Sequence, residues 1–392
     1  MNEIYLDNNA TTRIDPDALE KMLPFLSERY GNPSSMHEFG GNIKKDIEKA
    51  RCQTADILNA DSSEIIFTSC GTESDNTAII SILESNPNKR HILTTRVEHS
   101  AVLNLCKTLS KKGYSVSYLP VDKKGMIDLD HLRESITDDT AIVSIMYANN
   151  ETGVFFPIDK IARIVKQKGS IFHTDAVQAV GKIPINLKKT PIDLLSLSGH
   201  KLHAPKGVGA LYVRKGTRFT SYIIGGHQEN GRRGGTENVT SIVGLGAACE
   251  IAQKHIETEN TSVKKLRDYL EKNLLEKIPS SILNGDKNNR LPNTTNISFE
   301  YVEGEAILLL LNEHSICASS GSACTSGSIE PSHVLRAMGV PYTAAHGSIR
   351  FSLSRYTTKE EVDKVIDVLP PIIKRLRDIS PFWRENSKSV KS

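Results

Sequence analysis

The chain predicts an α/β fold, a mostly parallel central sheet in a large domain with a smaller α+β domain beside it. Two observations carry this. Between positions 64 and 213 the apolar residues switch repeatedly between the two-residue period of a strand and the 3.6-residue period of a helix. After position 237 the alternation gives way to one long helical run, then strands and a last helix. At 392 residues the chain exceeds the roughly 250–300 at which a single core stops growing. Two domains are therefore expected, a large one over 15–260 and a small one from 1–14 with 261–392.

The elements follow in order. Asp15-Pro16 reads as an N-cap with proline at the first helical position, opening a helix through about Arg29. The next element read is the strand EIIFTS (64–69), then the helical TESDNTAIISILES, the strand HILTT (91–95) and the helical SAVLNLCKTLSKKG. YSVSYLP continues the alternation, followed by a helix around DLDHLRESI, the strand AIVSIMYA, the helix DKIARIVKQKG and the strand SIFHTD. LLSLS (194–198) and GVGALYV (207–213) complete the sheet, and a helical region runs from about Glu237 to Glu276. Strands near TNISFE and GSIRFSLS precede a final helix capped at Thr357 or Thr358 with glutamates behind it.

Bulk properties exclude several classes. Hydrophobic residues make up 38%, charged residues 24%, and the net charge is +3, so no electrostatic case exists for nucleic acid. No segment approaches the ~18 apolar residues of a membrane span, and MNEIYLDNNATT lacks a basic region followed by an apolar run, so a cytoplasmic protein without membrane partners is expected. Cys52, Cys70, Cys106, Cys249, Cys317 and Cys324 are widely spaced with no CxxC pair, which indicates neither a disulfide framework nor structural zinc.

One cysteine differs from the rest. Cys324 sits in Ser319-Ser320-Gly321-Ser322-Ala323-Cys324-Thr325-Ser326-Gly327, where no neighbour is large enough to bury it, so it reads as a presented thiol.

In an open α/β sheet, ligands sit beyond the carboxyl ends of the strands. Four polar clusters fall there. Cys70-Gly71-Thr72-Glu73-Ser74 opens a helix and offers free N–H groups to a phosphate, although such a turn is also an ordinary cap. Val97-Glu98-His99-Ser100 places an imidazole that is either a cap or a ring plate, and His173-Thr174-Asp175-Ala176-Val177-Gln178 ends a strand on a carboxylate that is either a cap or a partner. Ser196-Leu197-Ser198-Gly199-His200-Lys201-Leu202-His203 presents a lysine beside a serine and two histidines. A phosphate cradle, an imidazole plate, a carboxylate and a lysine together match what pyridoxal phosphate demands.

With YLDNNATT, YANNETG, HTDAVQA, SGHKLHAPKG, RRGGTEN and SSGSACTSG standing in order, the chain resembles the NifS-like cysteine desulfurases, fold-type I pyridoxal-phosphate enzymes of the class V aminotransferase family, over nearly its whole length. The resemblance implies an aspartate-aminotransferase-like fold and conversion of L-cysteine to L-alanine, with sulfur passed through an enzyme persulfide to iron–sulfur cluster assembly. It assigns Lys201 to the covalent cofactor link and the Cα proton, and Asp175 to the pyridinium N–H. Gln178 bonds the ring oxygen, and His99 stacks on the ring and takes part in proton transfer. Gly71, Thr72, Ser198 and His200 hold the phosphate, with Thr236 arriving from the partner of a homodimer. Asn150 and Arg350 orient the substrate, Asn150 also bordering the cofactor, and Cys324 is the nucleophile. A sulfur acceptor or iron–sulfur scaffold protein is the implied macromolecular partner. No intrinsic metal is implied, and Cys324 is a candidate transient ligand of a cluster shared with that scaffold. Arg232-Arg233-Gly234-Gly235-Thr236, a turn with no evident role in its own sheet, also motivates the homodimer.

The competing readings are a selenocysteine lyase or another class V transferase, which need no nucleophilic thiol in a Ser/Gly loop, and a nucleotide-binding protein. Val180-Gly181-Lys182-Ile183 lacks both the leading glycine and the Ser/Thr of a P-loop. A thiol switch leaves Lys201, Asp175 and Arg350 idle, and a zinc site at His200 and His203 has no third ligand nearby in sequence.

Overall fold

The computed structural model of the protein describes residues 3–320 and 331–383. Its strands, in chain order, are β1 (Ile4–Tyr5), β2 (Ile65–Thr68), β3 (His91–Thr95), β4 (Ser115–Leu119), β5 (Thr140–Ser144), β6 (Ile171–Asp175), β7 (Leu194–Ser198), β8 (Gly209–Val213), β9 (Ser281–Leu283), β10 (Thr294–Phe299), β11 (Ile316–Cys317), β12 (Ser319–Ser320) and β13 (Ser348–Ser352). Seven of them form the central sheet in the order β2-β8-β7-β6-β5-β3-β4. Every pairing from β7 to β4 is parallel, whereas β8 runs antiparallel to both β7 and β2.

Both faces of that sheet are covered, because neighbouring strand residues point to opposite sides. Ile66, Ile92, Ile142, Leu194 and Leu211 pack with the helices Gly71–Ser85 and Ser100–Lys111. Phe67, Leu93, Val143, Leu195 and Ala210 belong to the opposite core with the helices Glu38–Asp56, Ile158–Gln167 and Val239–Thr258. A second sheet, β12-β13-β10-β9, has its own core built with the helices Lys264–Lys277, Gly304–Glu313 and Lys359–Ile379. β1 pairs in parallel with β11, so the N-terminal strand joins this second region before the chain crosses to the first.

Several local expectations hold. Asp15 caps its helix by accepting from Asp17 N–H, and Thr358 forms a full capping box with Glu361. Three differ. The first helix stops at Met22 and a separate turn Pro24–Ser27 follows, because Pro24 lacks an N–H for the ladder. The 19-residue helix Glu38–Asp56, capped by His37, has no counterpart in the sequence reading, its start being interrupted by Gly40-Gly41. The long helical run after 237 widens into a π turn at Glu259–Val263.

Candidate active site

The carboxyl ends of β6 and β7, with the turns after β2 and β3, surround one buried polar floor. At its centre Lys201, in the short turn Gly199–Lys201 after β7, donates to the carbonyls of Asn9 at 2.5 Å and Ala10 at 2.7 Å. The segment after β1 thus supplies the lysine's acceptors, a role the sequence reading did not give it. Asn9 O also receives Gln178 Nε2 at 3.0 Å.

Asp175 ends β6, 6% exposed, and accepts from Val177 N–H at 2.9 Å. Burial raises its pKa, opposed by the charges of His99 and Lys201 and by the Val177 N–H. His99 caps the helix Ser100–Lys111 by accepting Ala101 N–H at its Nδ1, 3.2 Å away, so that nitrogen carries no proton. Burial also lowers the imidazole's pKa, which favours the neutral ring.

On the other side of the floor, the helix Gly71–Ser85 begins at Cys70 without a side-chain cap, leaving its first N–H groups available. A side chain at Gly71 would meet Val177 Cγ2 at 2.8 Å and approach Ser198 Cβ at 3.4 Å, so only glycine allows this approach of helix to strand end. Thr72 is exposed beside it. Ser198 Oγ is buried and has no hydrogen-bond partner among the described residues. His200 bonds Thr11 Oγ1 at 3.2 Å, its pKa lowered to about 4 by burial and then by Lys201.

Arg350, on β13, comes from the second sheet. Its Nη2 pairs with Asp7 at 2.7 Å and its Nη1 donates to Asn150 O at 3.0 Å, while its buried Nε has no partner among the described residues. Asn150 and Arg350 are therefore adjacent, as the resemblance requires. Thr236 stands apart and exposed. Its neighbours correct the earlier view of that turn, since Arg233 pairs with Glu73 at 2.9 Å and Arg232 donates to Ile65 O at 3.2 Å. Cys324 lies outside the described residues. The zinc alternative loses its ligands to local bonds, because His200 bonds Thr11 and His203 Nδ1 lies 3.0 Å from Arg13 O. Among the described residues no group of three or more His, Cys, Asp or Glu could hold a metal ion.

Beneath the floor lie acids that the sequence does not single out. Asp75 is 1% exposed, its Oδ1 unpartnered, and burial followed by the charge of Asp175 pushes its pKa well up. His173 Nε2 is 3.6 Å from that oxygen, but burial holds the imidazole at a pKa of about 3, so the contact is not an ion pair. Glu98, fully buried, is pushed up to about 8 by burial. A helical residue such as Asp75 carries no sequence signal that it faces inward.

These residues fit pyridoxal phosphate. The uncapped helix end and the Ser198 hydroxyl, unpartnered among the described residues, offer donors to a phosphate, and Asp175 offers an acceptor at the end of the neighbouring strand. The comparisons agree. The profile of the family described as aminotransferase class-V matches residues 4–365. The chain belongs to that family. It is 63% identical over 387 residues to a cysteine desulfurase of Nostoc sp., covering 99% of this chain and 97% of that one. It is 60% identical to the cysteine desulfurase NifS of Azotobacter vinelandii, covering 98% and 96%. Among solved structures a NifS-like protein superimposes with a TM-score of 0.90 at 42% identity, over 96% of this chain and 100% of that one. This class-V member is a pyridoxal-phosphate-dependent enzyme with the activity of a cysteine desulfurase.

Proposed function

We propose that the enzyme takes L-cysteine, releases L-alanine and passes the sulfur through Cys324 to an acceptor or scaffold protein for iron–sulfur cluster assembly. The observation that supports it most is the clustering of Lys201, Asp175 and His99 in one buried floor beside an uncapped helix end. When bound, pyridoxal phosphate supplies an electron sink that makes the substrate's Cα proton removable. Lys201 holds and returns that proton. Asp175 would accept the ring N–H, Gln178 would donate to the ring oxygen, and His99 would lie against the ring. Gly71, Thr72, Ser198 and His200 take the phosphate, with Thr236 added from a second copy. Arg350 receives the substrate carboxylate beside Asn150, exchanging its pairing with Asp7.

In the sulfur step the Cys324 thiol attacks the substrate's sulfur, whose bond to carbon breaks. The carbon takes a proton and leaves as alanine, and the sulfur stays on the enzyme as a persulfide. One thiol and one cysteine give one persulfide and one alanine, with no outside oxidant.

The homodimer is favoured by exposed apolar side chains near the first helices and the 222–236 loop, Met36 at 104% and Ile224 at 89% among them. We place the large domain at 15–260 and the small one at 1–14 with 261–392. We place the enzyme in the cytoplasm; among the described residues no helix is long and apolar enough to cross a membrane.

Mass spectrometry after exposure to L-cysteine is the test. One added sulfur on the peptide containing Cys324 is expected, and borohydride reduction of the holoenzyme should label Lys201. Sulfur on another cysteine, or label on another lysine, would overturn the corresponding assignment. Mixing a Thr236→Ala variant with a Lys201→Ala variant should restore some turnover through hybrid dimers, and a fully active monomer in sedimentation would end that part of the proposal.

A further inference from the structure

Lys182, in the segment that fails as a P-loop, lies directly under the site. It is 6% exposed, and its Nζ is 3.1 Å from both the main-chain O and the side-chain Oε1 of Gln178, four residues earlier. The other end of that amide, Nε2, donates to Asn9 O, the carbonyl that also receives Lys201. A glutamine amide can turn over about its last torsion, because its O and NH2 are nearly alike in size, and hydrogen bonding alone decides which end points where. Lys182 at the oxygen end and Asn9 O at the nitrogen end decide it here. An ammonium has three N–H groups and no acceptor, and even a neutral amine has two to give, so both oxygens at 3.1 Å are served in either state. A turned amide would set NH2 against ammonium.

We propose that Lys182 is a positioning residue that fixes the orientation of Gln178, turning the amide carbonyl down and the NH2 up, so that a donor and not an acceptor meets the negative ring oxygen of the cofactor. A second element holds Lys182 in place. Asn260 Nδ2 donates to Lys182 O at 2.8 Å, and Glu259, 5% exposed, shares with Lys182 and Lys201 a cavity of about 20 Å³ lined by polar and apolar groups alike, room for about one water. Glu259 and Asn260 both belong to the π turn Glu259–Val263, a widening of the kind that is frequent at functional sites and that here brings Asn260 onto the main chain of Lys182. Burial lowers the pKa of Lys182 to about 7. Of the charged groups acting on it, Lys201 and Arg350 oppose its charge while Glu259 favours it.

The inference rests on the assignment of Gln178 to the ring oxygen, and its test separates the two. The readout is the pH midpoint of the bound cofactor's visible absorption band, measured on holoenzyme. When the link between cofactor and lysine loses its proton, the ring oxygen is left with its full negative charge, so removing a donor raises the midpoint. Gln178→Leu should raise it by about one unit, a tenfold change in proton affinity. The paired change Lys182→Met with Glu259→Gln removes both charges together, leaves neither buried alone, and should raise it by a similar amount. In the Gln178→Leu background the same pair should add less than about 0.3 unit, because the two act through one amide. Should the paired variant not fold, Lys182→Gln takes its place, with an expected rise of about half a unit since its own amide can turn. A wild-type midpoint in the folded Lys182 variants, or a full second shift on top of Gln178→Leu, overturns the inference while leaving the Gln178 assignment standing. An unmoved midpoint in Gln178→Leu overturns both.

Discussion

Buried charge is handled in opposite ways at the two sheets. Around the four-stranded sheet most of it is met by an opposite charge or a carbonyl, although Arg290 Nε and Arg350 Nε find no partner among the described residues. Arg290 meets Glu271 at 2.5 and 2.8 Å, Thr295 adds a bond to the same carboxylate at 2.6 Å, and the arginine holds that carboxyl's pKa below its usual value despite burial. Arg267 spends its Nη1 on the carbonyls of Leu291 and Thr294, and Arg377 ties down Pro279, Ser280 and Glu300. Around the carboxyl ends of the seven-stranded sheet it is left uncompensated. Asp75, Asp175 and Glu98 are pushed up by burial, and Ser198 Oγ and Asp75 Oδ1 have no partner among the described residues. The first arrangement holds a fold together. The second bears a desolvation cost that a ligand with a phosphate and a protonated ring relieves.

The largest expected effect follows from the second region. Lys201→Ala should lower alanine release by at least about a thousandfold. Its melting temperature should stay close to wild type, because the ammonium serves two loop carbonyls and no core. Retained turnover would place the chemistry elsewhere in the floor.

A matched pair of substitutions sharpens the contrast. Asp175→Asn removes a carboxyl that burial disfavours, so apo-protein stability should be unchanged or higher while turnover falls by about two to four orders of magnitude. Glu271→Gln removes the partner of a buried arginine, so it should cost about 3–5 kcal/mol of stability while activity per folded molecule stays within about twofold. Urea unfolding of both apo-proteins beside turnover of both holoenzymes reads all four quantities. If Asp175→Asn destabilises as much as Glu271→Gln, the two regions do not differ in the way argued.

The same contrast explains what was legible in the sequence. HILTT is the strand His91–Thr95 and Thr358 caps the last helix, because pleat alternation and a capping box are written within a few residues. Lys201, Asp175 and His99 were legible because each sits at the carboxyl end of a strand. Asp75, Lys182 and the acceptor carbonyl of Asn9 were not. Asp75 looks like any polar helical residue, and Asn9 gains its role from partners 169 and 192 positions away. Contacts at that separation leave no periodic trace. The helix Glu38–Asp56 was lost for another reason, since a glycine pair near its start outweighs local propensity that tertiary packing later overrides.

The smallest expected effect is a pH dependence at Glu98. Thr95 Oγ1 donates to its Oε1 at 2.7 Å and Met146 N–H reaches both oxygens at 3.1 Å, yet burial still sets its pKa at about 8. Unfolded, the carboxyl titrates near 4.5. Between those values the folded state keeps a proton that the unfolded state has lost, so stability falls as pH rises and the loss is complete above about 8. Glu98→Gln keeps a carbonyl for Thr95 and Met146 but removes the titration. Its melting temperature relative to wild type should therefore climb between pH 5 and pH 8.5, by roughly 2 °C or more, and level off beyond. Glu151 and Glu259, both raised to about 7 by burial, titrate in the same window but are common to both proteins and cancel in the difference. A constant offset across that range would mean that Glu98 is ionised in the folded protein at neutral pH, and this buried acid would then belong with the compensated charges of the other sheet.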